Sequence, residues 1–568
     1  MRTEVWGGKG RKDFRNSVLD HRMEYALAFF FSSTTLLGAF FDSGISFAKM
    51  NLWQMLAWIS SSLALTEVIR RLLRLVCNAL AGWARKEEAT DIPGDALRKE
   101  TKDFLSRKAG HCFLFSFFVI LLCWLPVWLA YYPGLWNYDP WQVDQVITGI
   151  YSKHHPLLHT LLLGNCYRFA LEQGNANLAP ILYSAIQGGI CAAVFALCCT
   201  LICEKTHSTI FFSLTLLFFA LFPVHPILAM STTKDTLFAA LILLACLLFF
   251  FLEGKSPTCQ KILLALETGV LALVILLRNN ARYCFFLLIF LGLFLLKKRQ
   301  WRKILAVLTA GTVLGLAADW GLGRLLQASP VLVAEMCSVP SQMAGRVQEQ
   351  GGDLDNETAD FFGTFYSLGK MSYNPYLADG KKQCLKLESR ADLIRYLQGS
   401  LRLFLKYPLI SIDSFLYTSE GLWNLRDVSH TRIYGVGNGA GYLVTDIQNW
   451  FRIEEDSKLP FLKQFLETQF SENAFLNIPI LHFLFAPALY VDLLLWSLCV
   501  ILKGKKRKGV LIPLFLLFLV FTIALGPGIL PRYVYPLMVC APLLIWMAMK
   551  SVPLTELDFQ GREGYNDK

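Results

Sequence analysis

The chain of 568 residues is 54% apolar and 14% aromatic but only 17% charged, with a formal net charge of +11. Soluble domains average about a quarter charged residues, so a string of soluble domains, a disordered chain and a disulfide-stapled scaffold are poor fits. The 54 Lys and Arg collect in short blocks beside apolar runs, and residues 321–475 hold 15 of them against 18 Asp and Glu; the surplus reports membrane orientation rather than a nucleic-acid partner.

In chain order, the apolar runs predict twelve spans, at about 25–42, 50–67, 111–132, 178–203, 208–222, 235–253, 262–277, 283–297, 303–320, 480–502, 510–526 and 532–550. The polar start, with Arg2, Lys9, Arg11, Lys12, Arg15 and Arg22, is no cleavable signal peptide. Ten Lys and Arg follow in residues 67–110, where Arg70, Arg71 and Arg74 suggest an amphipathic stretch along the inner surface. Residues 155–171 are read as an interfacial or re-entrant helix on the outer face, since counting them as a span would put Lys297–Lys303 outside. Both termini are then cytoplasmic. The expected divisions are 1–110 with two early spans and the surface helix, a core at 111–320 with an external loop at 133–177, an extracytoplasmic α or α+β region at 321–479, spans at 480–550, and a tail at 551–568. The 15 cysteines lie mostly in or beside apolar runs and form no CxxC pair or zinc spacing.

This topology gathers ionisable residues at one water–lipid boundary, with Glu267 and Asp492 the main charges inside spans. After the third span comes Tyr138-Asp139-Pro140, then Asp144, then His154-His155-Pro156-Leu157-Leu158. Asp139 before a proline is a good helix N-cap, and the same rigid placement suits a carboxylate that accepts a proton from an attacking hydroxyl. Asp144 has the plainer reading of a solvated helix residue, and His154 and His155 that of headgroup contacts. Lys234-Asp235 opens the sixth span, either as snorkelling lysine and helix cap or as a phosphate grip. Arg278 and Arg282 flank a tight outer turn, against the positive-inside trend, and Arg532-Tyr533 opens the last span. Arginine's planar fork matches phosphate oxygens, although interfacial anchoring explains these positions too. Glu420, in Ser-Glu-Gly-Leu-Trp, is a lone external carboxylate near aromatics. No serine nucleophile elbow, Walker loop or HExxH is present.

The order of Tyr138-Asp139-Pro140, His155-Pro156-Leu157-Leu158, Lys234-Asp235 and Pro531-Arg532-Tyr533 resembles the GT-C superfamily of polytopic glycosyltransferases, which includes protein O-mannosyltransferases and aminoarabinose transferases. The resemblance covers roughly 111–320 and 480–550. It departs from the family pattern at Pro140, which replaces the acidic partner of Asp139, at the single proline after His155, and in the two additional early spans. It implies an all-α polytopic enzyme that moves a sugar from a polyprenyl-phosphate carrier to a glycan, lipid or protein acceptor. Asp139 is then the base, with Asp144 beside it; Lys234, Asp235, Arg278, Arg282, Arg532 and Tyr533 face the lipid phosphate, and His154, His155 and Glu420 face donor or acceptor. Side-chain cations suffice for the leaving group, so no metal is demanded, although Asp139 with Asp144 offers ligands for Mg or Mn. A single base opposite the leaving group implies inversion. The alternatives are a transporter or flippase of a lipid-linked saccharide, a polysaccharide polymerase, and a non-catalytic scaffold.

Overall fold

The computed structural model describes residues 21–89 and 109–551, apart from 139, 207, 252–255, 295–298, 351, 353, 368–372, 427–449, 472–473, 479–480 and 504–506. The expected base Asp139, the first twenty residues and the tail beyond Ser551 lie outside that set.

The apolar runs fold as helices because no other spanning structure satisfies its own backbone polar groups within one segment. The first half holds α1 (His21–Asp42), α2 (Leu52–Ala89), α3 (Ala109–Ala130), the short α4 (Val143–Thr148), α5 (Leu157–Glu172), α6 (Leu178–Thr206), α7 (Thr209–Leu221), α8 (Val224–Met230), α9 (Lys234–Phe251), α10 (Pro257–Leu277), α11 (Ala281–Phe294) and α12 (Arg299–Leu325). An insertion follows, with α13 (Ser338–Gln350), α14 (Asn356–Phe365), α15 (Arg390–Lys406), α16 (Pro408–Thr418) and α17 (Pro460–Ser471). The chain closes with α18 (Pro487–Lys503), α19 (Leu511–Ala524) and α20 (Pro531–Ser551). Caps mark several starts: the Ser208 and Ser256 side chains accept from the backbone N–H groups of Phe211 and Cys259, and Ser389 forms a capping box with Asp392.

Among the described residues, eight helices (α1, α2, α3, α6, α9, α10, α12 and α20) are long and apolar enough to cross a membrane, and the pair α7–α8, bent by 47°, makes up to nine. The chain is therefore an all-α membrane protein. The stretches expected at 283–297 and 510–526 are 14-residue helices, about 21 Å long at the usual rise per residue. That is shorter than the ~30 Å hydrocarbon thickness. The stretch expected at 155–171 forms the helix α5. Arg70, Arg71 and Arg74 do not lie on a separate surface helix: α2 runs unbroken through them, and Arg70 and Arg74 pair with Glu24 of α1.

The middle of the bundle is made by α6, α9 and α20, whereas α2, α3 and α12 lie at its edge. One edge helix is nevertheless tightly held. A Cβ at Gly311 or Gly315 would stand 3.2 or 3.1 Å from the Thr268 and Ala272 carbonyl oxygens, so this small-xxx-small pair lets α12 press on the backbone of α10.

Among the described residues the insertion is helical, with isolated bridges such as Tyr366–Leu385 in place of strands. Two of its attachments to the helical bundle involve buried groups. In the first, Arg346 donates to Asp413 at 2.7 and 2.9 Å, and the other Asp413 oxygen accepts from the Ala48 N–H at 3.2 Å in the α1–α2 turn. Asp413 is fully buried, and removing it leaves Arg346 with the half-exposed Glu349, at 2.9 Å, as its remaining counter-charge. Asp413→Ala is expected to lower stability by about 3–5 kcal/mol, read as earlier thermal unfolding in detergent; an unchanged melting curve would contradict this role. In the second, the Ala378 N–H donates to the Pro527 carbonyl at 2.6 Å. There a Cβ at Gly528 would meet the Tyr376 oxygen at 2.6 Å, so only glycine permits the approach.

Candidate functional site

The N-terminus of α9, the C-terminus of α10 and the N-terminus of α20 meet at one end of the bundle. Asp235, in the first turn of α9, is 1% exposed and stands at the centre of the meeting. Arg278 donates to one carboxylate oxygen at 2.5 Å. Arg532 reaches the other at 3.7 Å, and the Thr233 hydroxyl donates to it at 3.2 Å. Two arginines more than 250 residues apart in sequence therefore share one carboxylate.

Aromatic faces cover both arginines. The Arg278 guanidinium lies 4.7 Å above the Tyr533 ring, and that of Arg532 lies 4.2 Å above Tyr138 and 5.0 Å above Tyr533. These faces stabilise a cation without neutralising it. Lys234 points to a different partner, with its Nζ 3.2 Å from the Nδ1 of His155. Two arginines thus share one carboxylate with Lys234 next to it in sequence, and the surplus positive charge suits an anion.

The loop that precedes α4 is zipped to the segment that opens α9. Thr232 donates its N–H to the Leu135 carbonyl at 3.2 Å, and its hydroxyl accepts from the Asn137 N–H at 3.0 Å and donates to the Asn137 carbonyl. Tyr138, with φ of +64°, follows directly and turns over Arg532. Behind the zipper, the Gln187 amide donates to the carbonyls of Leu228, Ala229 and Ser231 at 3.1, 3.0 and 2.8 Å. Gln187 is itself held by the Tyr183 hydroxyl at 2.9 Å, and that hydroxyl contacts His159 at 2.7 Å. These buried groups position the site and do not face it.

The expected site residues divide accordingly. Lys234, Asp235, Arg278, Arg532 and Tyr533 come together, and His155 joins them through Lys234. Asp235 serves as the hub for the arginines, not as a second half of a phosphate grip. Arg282 does not join: it begins a new helix, and its guanidinium stays with the neighbouring Tyr283 hydroxyl at 3.4 Å. His154 turns toward the insertion, with its Nδ1 3.9 Å from Glu335, which pairs with Lys382 at 2.6 Å. Asp144 lies exposed in the first turn of α4, and the partial burial it has raises its carboxyl above the ordinary carboxylate range. Glu420 is buried after α16, where it accepts from Asn424 at 2.8 Å, and Asn424 packs on Gly38 of α1. Among the described residues no group of three His, Cys, Asp or Glu side chains is placed to hold a metal ion.

Residues missed by sequence reasoning are Tyr138 as an arginine-stacking ring, Thr232 and Thr233 as the loop lock, and Gln187 as its backing. The clustering of hydroxyls in Ser231-Thr232-Thr233 before Lys234 was the available signal.

Fold and site together define a helical membrane protein with a cluster of cations around one buried carboxylate at one end of its bundle. Residues 147–556, more than half of the chain, match a family described as one of unknown function (DUF6020), and the chain belongs to that family. The match includes Lys234, Asp235, Arg278 and Arg532. No curated protein and no solved structure matches the chain.

Proposed function

We propose that this protein is an integral-membrane glycosyltransferase that takes a sugar from a polyprenyl-phosphate carrier. The observation that carries the reading is the pair Arg278 and Arg532, gathered from distant segments onto Asp235 with Lys234 beside them. A lipid phosphate needs such fixed cations when it leaves, because the surrounding helices offer little water to screen its charge. Tyr138 on Arg532 brings the segment that leads into Asp139 to the same place. In this reading Asp139 takes the acceptor hydroxyl proton as its oxygen attacks the anomeric carbon, the bond to the phosphate oxygen breaks, and the phosphate stays on Arg278, Arg532 and Lys234. The anomeric configuration inverts. The GT-C resemblance, twelve passes that include α11, α18 and α19, cytoplasmic termini and an extracytoplasmic site all belong to this proposal.

A second reading, a flippase for a lipid-linked saccharide, has its own support. Glu267 of α10 and Asp492 of α18 are buried, and each has an oxygen without a hydrogen-bond partner; carboxyls inside membrane helices commonly mark transport pathways.

Purified protein in proteoliposomes, given radiolabelled polyprenyl-phosphate sugars and candidate acceptors, separates the two. Label leaving the carrier, reduced at least tenfold by Arg278→Gln, supports transfer. Carrier that crosses the bilayer with its sugar still attached supports the flippase and overturns the transferase. Cysteine labelling that places residue 234 on the cytoplasmic side overturns the extracytoplasmic site.

A further inference from the structure

Residues 450–458 form a strap that is tied down along its length. The Phe451 carbonyl accepts from the Tyr167 hydroxyl of α5 at 3.2 Å, and Asn177 exchanges two hydrogen bonds with the Glu454 backbone at 2.8 and 3.0 Å. The N–H groups of Asp456 and Lys458 donate to the carbonyls of Tyr132 and Leu129 at 3.0 and 2.9 Å. Phe451 is 1% exposed, with its ring centroid 6.0 Å from Trp136 and 5.2 Å from Trp141. Arg452 then turns the backbone with φ of +56°. Held in this way, the strap buries its phenylalanine and leaves the larger Trp450 69% exposed.

Trp450 does not stand alone. Its ring centroid is 5.7 Å from that of Trp141, with the planes at 61°, and Trp141 is 44% exposed. The two indoles make an open aromatic corner, and Trp141 follows Asp139 by two residues. One charge of each sign flanks the corner. Asp144 in the first turn of α4 and Arg452 beside Phe451 are both exposed, and both act electrostatically on the Tyr167 hydroxyl.

This set constrains its occupant. The indoles call for an apolar face, whereas the carboxylate and guanidinium call for groups that both donate and accept. Asp144 and Arg452 cancel in charge, so the occupant is neutral; a lipid phosphate is disfavoured because Asp144 repels it. A pyranose ring meets every requirement: its C–H groups give it an apolar face, and its hydroxyls donate to a carboxylate and accept from a guanidinium.

We propose that Trp141, Trp450, Asp144 and Arg452 form a binding site for a neutral saccharide, the acceptor of the transfer reaction. The role as acceptor rests on the transferase reading, whereas the binding itself does not.

The test uses the full chain in lipid nanodiscs with 5-fluorotryptophan in place of tryptophan. The ¹⁹F resonances of Trp141 and Trp450 are assigned by their loss in Trp141→Phe and Trp450→Phe. Titration with neutral tetrasaccharides of the gluco, galacto and manno series should shift both resonances saturably with at least one of them. Asp144→Asn should weaken that binding about tenfold, as should Arg452→Asn, which retains a residue that tolerates the left-handed turn. Saccharide binding by a protein that transfers no sugar would keep the site and count against the transferase. Absence of a shift with all three series would overturn the site even if transfer is observed. Unchanged affinity in both charge variants would overturn it too, as would broadening of both resonances by a headgroup-spin-labelled phosphatidylcholine, which would place the indoles among lipid headgroups.

Discussion

Asp235→Asn is expected to lose stability and activity together. The substitution keeps the side chain's size but removes the charge shared by Arg278 and Arg532, whose side chains are only 12% and 10% exposed. Two guanidinium groups then face one another across a neutral amide at short range. Leaving a buried charge without its partner costs about 3–5 kcal/mol, so thermal unfolding in detergent should begin at clearly lower temperature. The cause is separable from loss of the carboxylate as such. Adding Arg278→Met to Asp235→Asn removes one of the two stranded cations and should recover part of the lost stability, a coupling that a double-mutant cycle measures directly. Additive losses would show that Asp235 does not act as the shared counter-ion.

Asp139→Asn should instead leave folding untouched and remove turnover. A positioned general base typically contributes about 10²–10⁴-fold, and that loss should fall on kcat. In the proposed mechanism the KM for the polyprenyl-phosphate donor should stay near its original value, because the cations assigned to the phosphate remain in place. Arg532→Gln should show the contrasting pattern, with weaker donor binding as well as slower transfer. If the folded Asp139→Asn protein still turns over at the original rate, Asp139 is not the base and the proposed mechanism falls.

The membrane class was legible because long uncharged runs have few structural solutions. Helix limits were legible where polar and turn residues bound the apolar run: α6 runs from 178 to 206 against an expected 178–203, and α5 from 157 to 172 against an expected 155–171. Limits failed where apolar composition continues past a turn. Leu525 is as apolar as its predecessors, yet the Gly526-Pro527-Gly528 turn ends α19 at Ala524. The membership of Lys234, Asp235, Arg278 and Arg532 was legible from charges that a topology rule leaves unexplained. Their geometry was not. Arg278 caps α10 in an extended conformation, and the chain turns before Arg282, so four residues of spacing place the two arginines on different helices. The Thr232 hydroxyl is locked to the Asn137 backbone across 95 residues, and pairing of that kind leaves no trace in residue spacing.

Pro527 stands five residues ahead of Arg532, and its carbonyl is held by the N–H of Ala378 in the insertion. A ligand on Arg532 and the seating of the insertion on Pro527 therefore act on opposite ends of one short backbone lever. Where two binding events bias the same element, each changes the other by the same factor. Whatever a ligand on Arg532 does to the seat at Pro527, the seat does to that ligand's affinity in equal measure.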